Sequence, residues 1–237
     1  MRLTEISARI GAPHENTKPT WMYDLYDRYF AELADRPLTL LELGVCTGES
    51  TKVFASYFKN GKIIGMDIED RGVDFSGYQN IVFALGDQRS AEQLNEICTI
   101  HAPGGLDIII DDASHFGSWS LVSYSILYPR LNRGGLYIVE DWATGYWDDW
   151  PDGSRFQRFS PEVTDGQLPK RLPSHDFGMV GFVKFLIDEV SHRGFGPTRT
   201  APPTRPCNWE SMHVHPQFVV LRKNLLALTP RTGHCSV

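Results

Sequence analysis

The sequence predicts an α/β fold, a mostly parallel sheet with helices on both faces. Three observations carry this reading. Short, nearly continuous apolar runs recur between residues 38 and 141, amphipathic stretches of helical length separate them, and glycine or acidic residues follow the ends of successive runs. Strands joined by such helices imply βαβ units. Strands apolar on both sides suit a sheet covered on both faces. At 237 residues the chain fits one domain, residues 1–237, with volume for a full core.

Within the N-terminal cover of residues 1–37, residues 20–33 read as an amphipathic helix rich in aromatics (Trp21, Tyr23, Tyr26, Tyr29, Phe30). Residues 38–43 form the first strand. Residues 48–58 are helical, with Val53, Phe54 and Tyr57 at helical spacing. Residues 62–67 and 81–85 are the next strands, and 91–100 is a helix with Leu94, Ile97 and Cys98 on one face. Residues 106–110 and 136–139 are two more strands, joined by a helix over 119–131. Residues 38–141 thus form a core in which each strand is followed by chemistry-bearing residues at its carboxyl end. From 142 to 176 the composition shifts to Trp, Asp, Gly and Pro without periodicity, the mark of a lid or binding loop. The C-terminal part, 177–237, opens with a helix over 177–191, and His213-Val214 followed by 217–222 reads as a hairpin.

Composition excludes several functions. A net charge of −6 with dispersed Lys and Arg argues against bulk nucleic-acid or acidic-membrane binding. The sequence has no run of 18 apolar residues, so a membrane-spanning helix is not expected, and the N-terminus lacks an apolar signal core. Cys46, Cys98, Cys207 and Cys235 show no metal-like spacing. They read as reduced thiols, and the expected location is cytoplasmic.

The candidate chemistry lies at the carboxyl ends of the strands. Glu42-Leu43-Gly44-Val45-Cys46-Thr47-Gly48 sits at a strand-to-helix junction, where glycines let a ligand approach the backbone and the helix N–H groups. Its G-x-x-x-G spacing is neither a dinucleotide fingerprint nor a phosphate-gripping loop. Asp67 ends the second strand, where a carboxylate can accept both ribose hydroxyls. Asp87, followed by Gln88, ends the third and can meet an adenine amino group. Asp111-Asp112-Ala113-Ser114-His115 and Glu140-Asp141 follow two further strands. Buried carboxylates are costly unless paired or bound to a cation, so their convergence would make a hard-cation site with a histidine beside it. Asp111 reads as an N-cap for the next helix.

The ELGVCTG turn, the GMD after the second strand and the GDQ after the third resemble class I S-adenosylmethionine-dependent methyltransferases, over about residues 38–141. The resemblance implies a Rossmann-like, seven-stranded sheet, with the hairpin near 213–222 completing it. It also implies S-adenosyl-L-methionine laid across the strand ends, with Glu42 among the residues that bind it, Gly44 and Gly48 near the methionine portion, Asp67 at the ribose, and Asp87 and Gln88 near adenine. Asp112-x-x-His115 followed by Glu140-Asp141 is similar to the magnesium-dependent sugar O-methyltransferases of macrolide antibiotic biosynthesis, the mycinamicin and macrocin type, and to relatives labelled cephalosporin hydroxylases. That resemblance implies Asp112, Glu140 and Asp141 as ligands of Mg²⁺ or another divalent cation, and His115 as general base. Those relatives carry an additional N-terminal region that helps form the acceptor pocket, whereas 37 residues precede the first strand here.

The implied reaction is metal-assisted methyl transfer to a hydroxyl of a small molecule, a sugar or glycosylated natural product. A catechol-like or phenolic acceptor, or a cofactor-binding protein without transfer activity, remain open. Trp142, Tyr146, Trp147, Trp150, Phe156 and Phe159, interleaved with Asp148, Asp149 and Asp152, suit stacking on sugar rings or apolar aglycones. A homo-oligomer interface would use similar residues. His175, Asp176, His213 and His215 are further candidates whose position the sequence does not fix.

Overall fold

A computed structural model describes residues 1–11, 18–156, 175–191 and 208–226. Its centre is a seven-stranded sheet. The strands are β1 (Thr39–Leu43), β2 (Lys62–Asp67), β3 (Ile81–Leu85), β4 (Leu106–Asp111), β5 (Leu131–Glu140), β6 (Trp209–His215) and β7 (Phe218–Lys223). Their spatial order is β3-β2-β1-β4-β5-β7-β6. The first five run parallel, and β7 is antiparallel to both β5 and β6. The expected terminal hairpin therefore closes the sheet, and β6 forms one of its edges.

Adjacent residues in each central strand are both apolar but face opposite layers. Leu41, Ile64, Ile109 and Tyr137 pack beneath α4 (Ala91–His101), α5 (Gly117–Leu127) and α6 (Gly178–Ser191). Leu40, Ile63, Ile108 and Ile138 pack beneath α1 (Leu3–Ile10), α2 (Thr20–Phe30) and α3 (Glu49–Tyr57). In α2 the stripe Met22, Tyr26 and Phe30, at four-residue spacing, is buried. Tyr26 meets Phe30, Phe54 and Phe218 with ring centroids 4.9, 5.2 and 4.8 Å away, contacts worth about 1 kcal/mol each beyond area burial. Among the described residues no helix is long and apolar enough to cross a membrane.

Three expectations need adjustment. α1 escaped the sequence reading because its eight residues bury only Leu3 and Ile6. β5 begins at Leu131 rather than 136, since Leu131 pairs with Leu106 across an irregularity that the Gly134-Gly135 stretch accommodates. The first part of the expected lid is packed rather than free. A 3₁₀ turn over Trp142–Tyr146 lies against α6, with Gly145 tight against Val180. Residues 157–174 of that segment, Phe159 included, lie outside the described residues.

The strand order reverses between β1 and β4: the chain moves outward to β2 and β3, then crosses back to β4 and β5. Helices on the two sides diverge at such a switch point and leave a crevice at the carboxyl ends of the strands. The loops after β1 and β4 both open there.

Candidate active site

That crevice holds a cavity of about 600 Å³ lined by Gly44, Asp67, Asp87, Asp112, His115 and Asp141, among others. Its two sides are locked together at Gly44. This residue has φ +90°, and a β-carbon placed on it would stand 2.1 Å from the Asp112 carbonyl oxygen. Only glycine lets the β1 turn pass this close to the acidic loop.

On the cofactor side, Asp67 Oδ2 accepts hydrogen bonds from Val45 N at 2.9 Å and Cys46 N at 2.8 Å. The carboxylate thereby fixes the turn while lining the cavity. Asp87 is held by Arg89, whose guanidinium also lies 4.4 Å from the Trp119 ring centroid. That ion pair lowers the Asp87 pKa, so the carboxylate stays charged at the cavity wall. Trp119 and Phe116 line the same region.

Three expected cofactor contacts act differently. Glu42 is fully buried, and its oxygens accept from Ser50 Oγ at 2.5 Å and Thr51 Oγ1 at 2.6 Å. It braces the start of α3 beneath the turn and does not line the cavity. Burial pushes its pKa up to about 7, against the pull of Lys18 and the two hydroxyls. Gly48, at φ +74°, shapes the turn before α3 and backs onto Val73 and Phe75. Gln88 lines the cavity but spends its amide inward: Oε1 accepts from Ser114 N at 3.1 Å, and Nε2 lies 3.3 Å from Asp111 Oδ1. It supports the acidic loop.

Asp111 is likewise not a helix cap. Its side chain points into the sheet-helix layer, where Ser123 Oγ of α5 stands 2.9 Å from Oδ2, while α5 itself starts without a side-chain cap. Strand alternation sends Asp111 inward and Asp112 toward the cavity.

On the acidic side, Asp112, His115 and Asp141 each offer a ligand atom, all within 4.8 Å of one another. His115 Nε2 is 3.8 Å from Asp141 Oδ2. Cys46, His115 and Asp141 have φ of 49°, 54° and 50°, a left-handed conformation costly for such residues and concentrated at functional sites. Trp150 Nε1 donates to the His115 carbonyl at 3.0 Å and props that strained turn. Asp152, expected at the acceptor, is buried and accepts from Gly117 N at 2.6 Å, anchoring the start of α5.

Glu140 is buried behind this group. One of its oxygens accepts from the Tyr26 hydroxyl, and the other lies 2.9 Å from Lys18 Nζ. Lys18 also hydrogen-bonds Asp112. Burial and the Asp112 charge raise the Glu140 pKa, opposed by Lys18; burial and Asp112 raise that of Asp141 as well. The donor set suits a hard cation: it is dominated by carboxylate oxygens, and it already surrounds a positive charge. Lys18 and Tyr26 were not legible as site residues, because no motif surrounds them and both reach the site only through the packing of α2. His175 bonds the Gly145 carbonyl at 2.7 Å, and His213 and His215 each lie 2.8 Å from the Tyr29 hydroxyl. None of the three lines the cavity.

Comparison with known proteins matches the fold. The chain superposes with a TM-score of 0.73 and 29% identity on the MycE methyltransferase of the mycinamycin biosynthetic pathway, solved in complex with Mg and SAH, over 94% of this chain and 55% of that one. The chain has a class I methyltransferase fold. Its homologues are sugar O-methyltransferases of antibiotic pathways. It is 32% identical over 207 residues to the 8-demethyl-8-alpha-L-rhamnosyl tetracenomycin-C 2'-O-methyltransferase of Streptomyces olivaceus, covering 84% of this chain and 49% of that protein. It is 30% identical over 198 residues to the demethylmacrocin O-methyltransferase of Streptomyces fradiae, covering 81% and 45%. The chain thus spans about half the length of the curated relatives it matches. No protein-family model matches it.

Proposed function

We propose that the chain is an S-adenosylmethionine-dependent, divalent-metal-assisted O-methyltransferase acting on a hydroxyl of a sugar or glycosylated natural product. The observation that carries this is the meeting of Asp112, His115 and Asp141 within 4.8 Å, in the cavity that Gly44 and Asp67 also line. The names of the homologues support the sugar hydroxyl, and the MycE complex supports the cofactor and the metal.

In this reading Gly44 and Asp67 position the methionine and ribose portions of the cofactor, and Asp87 faces the adenine end. Asp112, Glu140 and Asp141 would hold the cation, with Mg²⁺ the natural choice for oxygen ligands. When bound, such an ion makes a coordinated hydroxyl more acidic. His115 takes the acceptor's proton on Nε2, which lies 3.8 Å from Asp141 Oδ2. The acceptor oxygen bonds to the methyl carbon as the carbon–sulfur bond breaks, leaving a neutral thioether. The cavity's remaining contribution is orientation, which can supply several kcal/mol of the barrier.

Calorimetry with S-adenosylmethionine, with and without Mg²⁺, combined with turnover of glycosylated acceptors by a His115→Ala variant, tests the proposal. The expected result is metal and cofactor binding in both proteins, with turnover lowered about 10²–10⁴-fold in the variant. Tight cofactor binding without any metal binding would sink the metal mechanism. Full turnover in the variant would remove His115 as the base.

A further inference from the structure

The acidic cluster contains a cation that the chain itself supplies. Lys18 hydrogen-bonds Asp112 and stands 2.9 Å from Glu140 Oε2, with its side chain only 8% exposed. A buried ammonium is costly, and burial alone would lower its pKa. The charges of Asp112, Glu140 and Glu42 overcome that and hold Lys18 protonated.

The pattern of partners is selective. Glu42 and Asp111, two buried carboxylates outside the proposed ligand set, are satisfied by the neutral hydroxyls of Ser50, Thr51 and Ser123. Asp112 and Glu140, two of the three proposed metal ligands, are instead bridged by an ammonium on a flexible four-carbon stem. A divalent ion would need the same oxygens, at about 2.1 Å for Mg²⁺. It could not share the space between them with a second positive charge a few ångströms away.

We propose that Lys18 and the divalent cation compete for Asp112 and Glu140: Lys18 balances the carboxylates in the metal-free protein and swings out as the metal enters. This rests on the metal site proposed above. Lys18 precedes Pro19, the N-cap of α2, and α2 delivers both Met22 of the cavity wall and the Tyr26 hydroxyl on Glu140. The ammonium can therefore leave by side-chain rotation into the adjoining cavity, while Tyr26 keeps Glu140 in place. Metal loading would exchange a residue at the cavity wall for an ion, clearing space beside His115.

The test is Mn²⁺ binding to the full chain, followed by electron paramagnetic resonance, in the wild type and in Lys18→Met and Lys18→Gln variants. Both variants should bind Mn²⁺ at least tenfold more tightly than the wild type. They should also lose thermal stability in chelator and recover it on adding Mn²⁺. A second readout uses the wild type alone: amine acetylation read by mass spectrometry should spare Lys18 without metal and modify it at saturating Mg²⁺. Lys62, whose Nζ donates to the His101 carbonyl at 2.8 Å, serves as an unchanged reference. Equal or weaker Mn²⁺ binding by the variants, beside normal binding by the wild type, would overturn the competition and leave the metal site standing. Absence of Mn²⁺ binding in all three proteins would overturn both. Should the variants not fold in chelator, the acetylation pattern decides: Lys18 protected at saturating Mg²⁺ refutes the exchange.

Discussion

Glu42 makes the wild-type protein lose stability as pH rises, and Glu42→Gln should remove that loss. In the fold its carboxyl is fully buried and its pKa is pushed up to about 7, from an ordinary value of 4.5. A raised folded-state pKa means that the neutral form is favoured in the fold. The associated stability is complete below pH 4.5 and is lost as pH rises through 7. At about 1.4 kcal/mol per pH unit, the gap corresponds to about 3 kcal/mol, of which about 1 kcal/mol is lost by pH 5 and the remainder by pH 8. The glutamine side chain is never charged and can still hydrogen-bond Ser50 and Thr51. Urea unfolding of both proteins in chelator at pH 5, 6.5 and 8 measures the difference. The variant should gain about 2 kcal/mol relative to wild type between pH 5 and 8. Glu140, also raised by burial, is common to both proteins and cancels to first order. A constant difference across that range, or one that shrinks with pH, would refute the reasoning.

Further outcomes follow from single contacts. Gly44→Ala sets a methyl 2.1 Å from the Asp112 carbonyl at φ +90°. It should cost about 3 kcal/mol or more and weaken cofactor and metal binding together, as calorimetry would record. Ser123→Ala removes the hydroxyl 2.9 Å from buried Asp111, and should lower stability by about 1–3 kcal/mol in chemical denaturation. Trp150→Phe deletes the N–H on the His115 carbonyl. The expected loss is about 1 kcal/mol of stability, with turnover reduced while cofactor affinity stays unchanged.

The sequence by itself determined the strands, the helices between them and which residues stand at each strand's end. The nearly continuous apolar runs of β1, β2, β4 and β5, and the α2 stripe, are local properties that need no partner to be read. For that reason Gly44, Asp67, Asp87, Asp112, His115 and Asp141 could be named in advance, and all six line one cavity. Tertiary structure decided what the side chains do there. The reversal of strand order between β1 and β4 brings Gly44 onto the Asp112 backbone, a contact that leaves no trace in local pattern. Glu42, Gln88 and Asp111 stand at the same strand ends, yet turn their polar atoms inward to hydroxyls of α3 and α5 and to the Ser114 amide, because the direction of each side chain is fixed by the packed layers. Lys18 reaches Asp112 and Glu140 across 94 and 122 residues of sequence. Its burial between two carboxylates follows from where α2 docks, and no spacing in the chain encodes that.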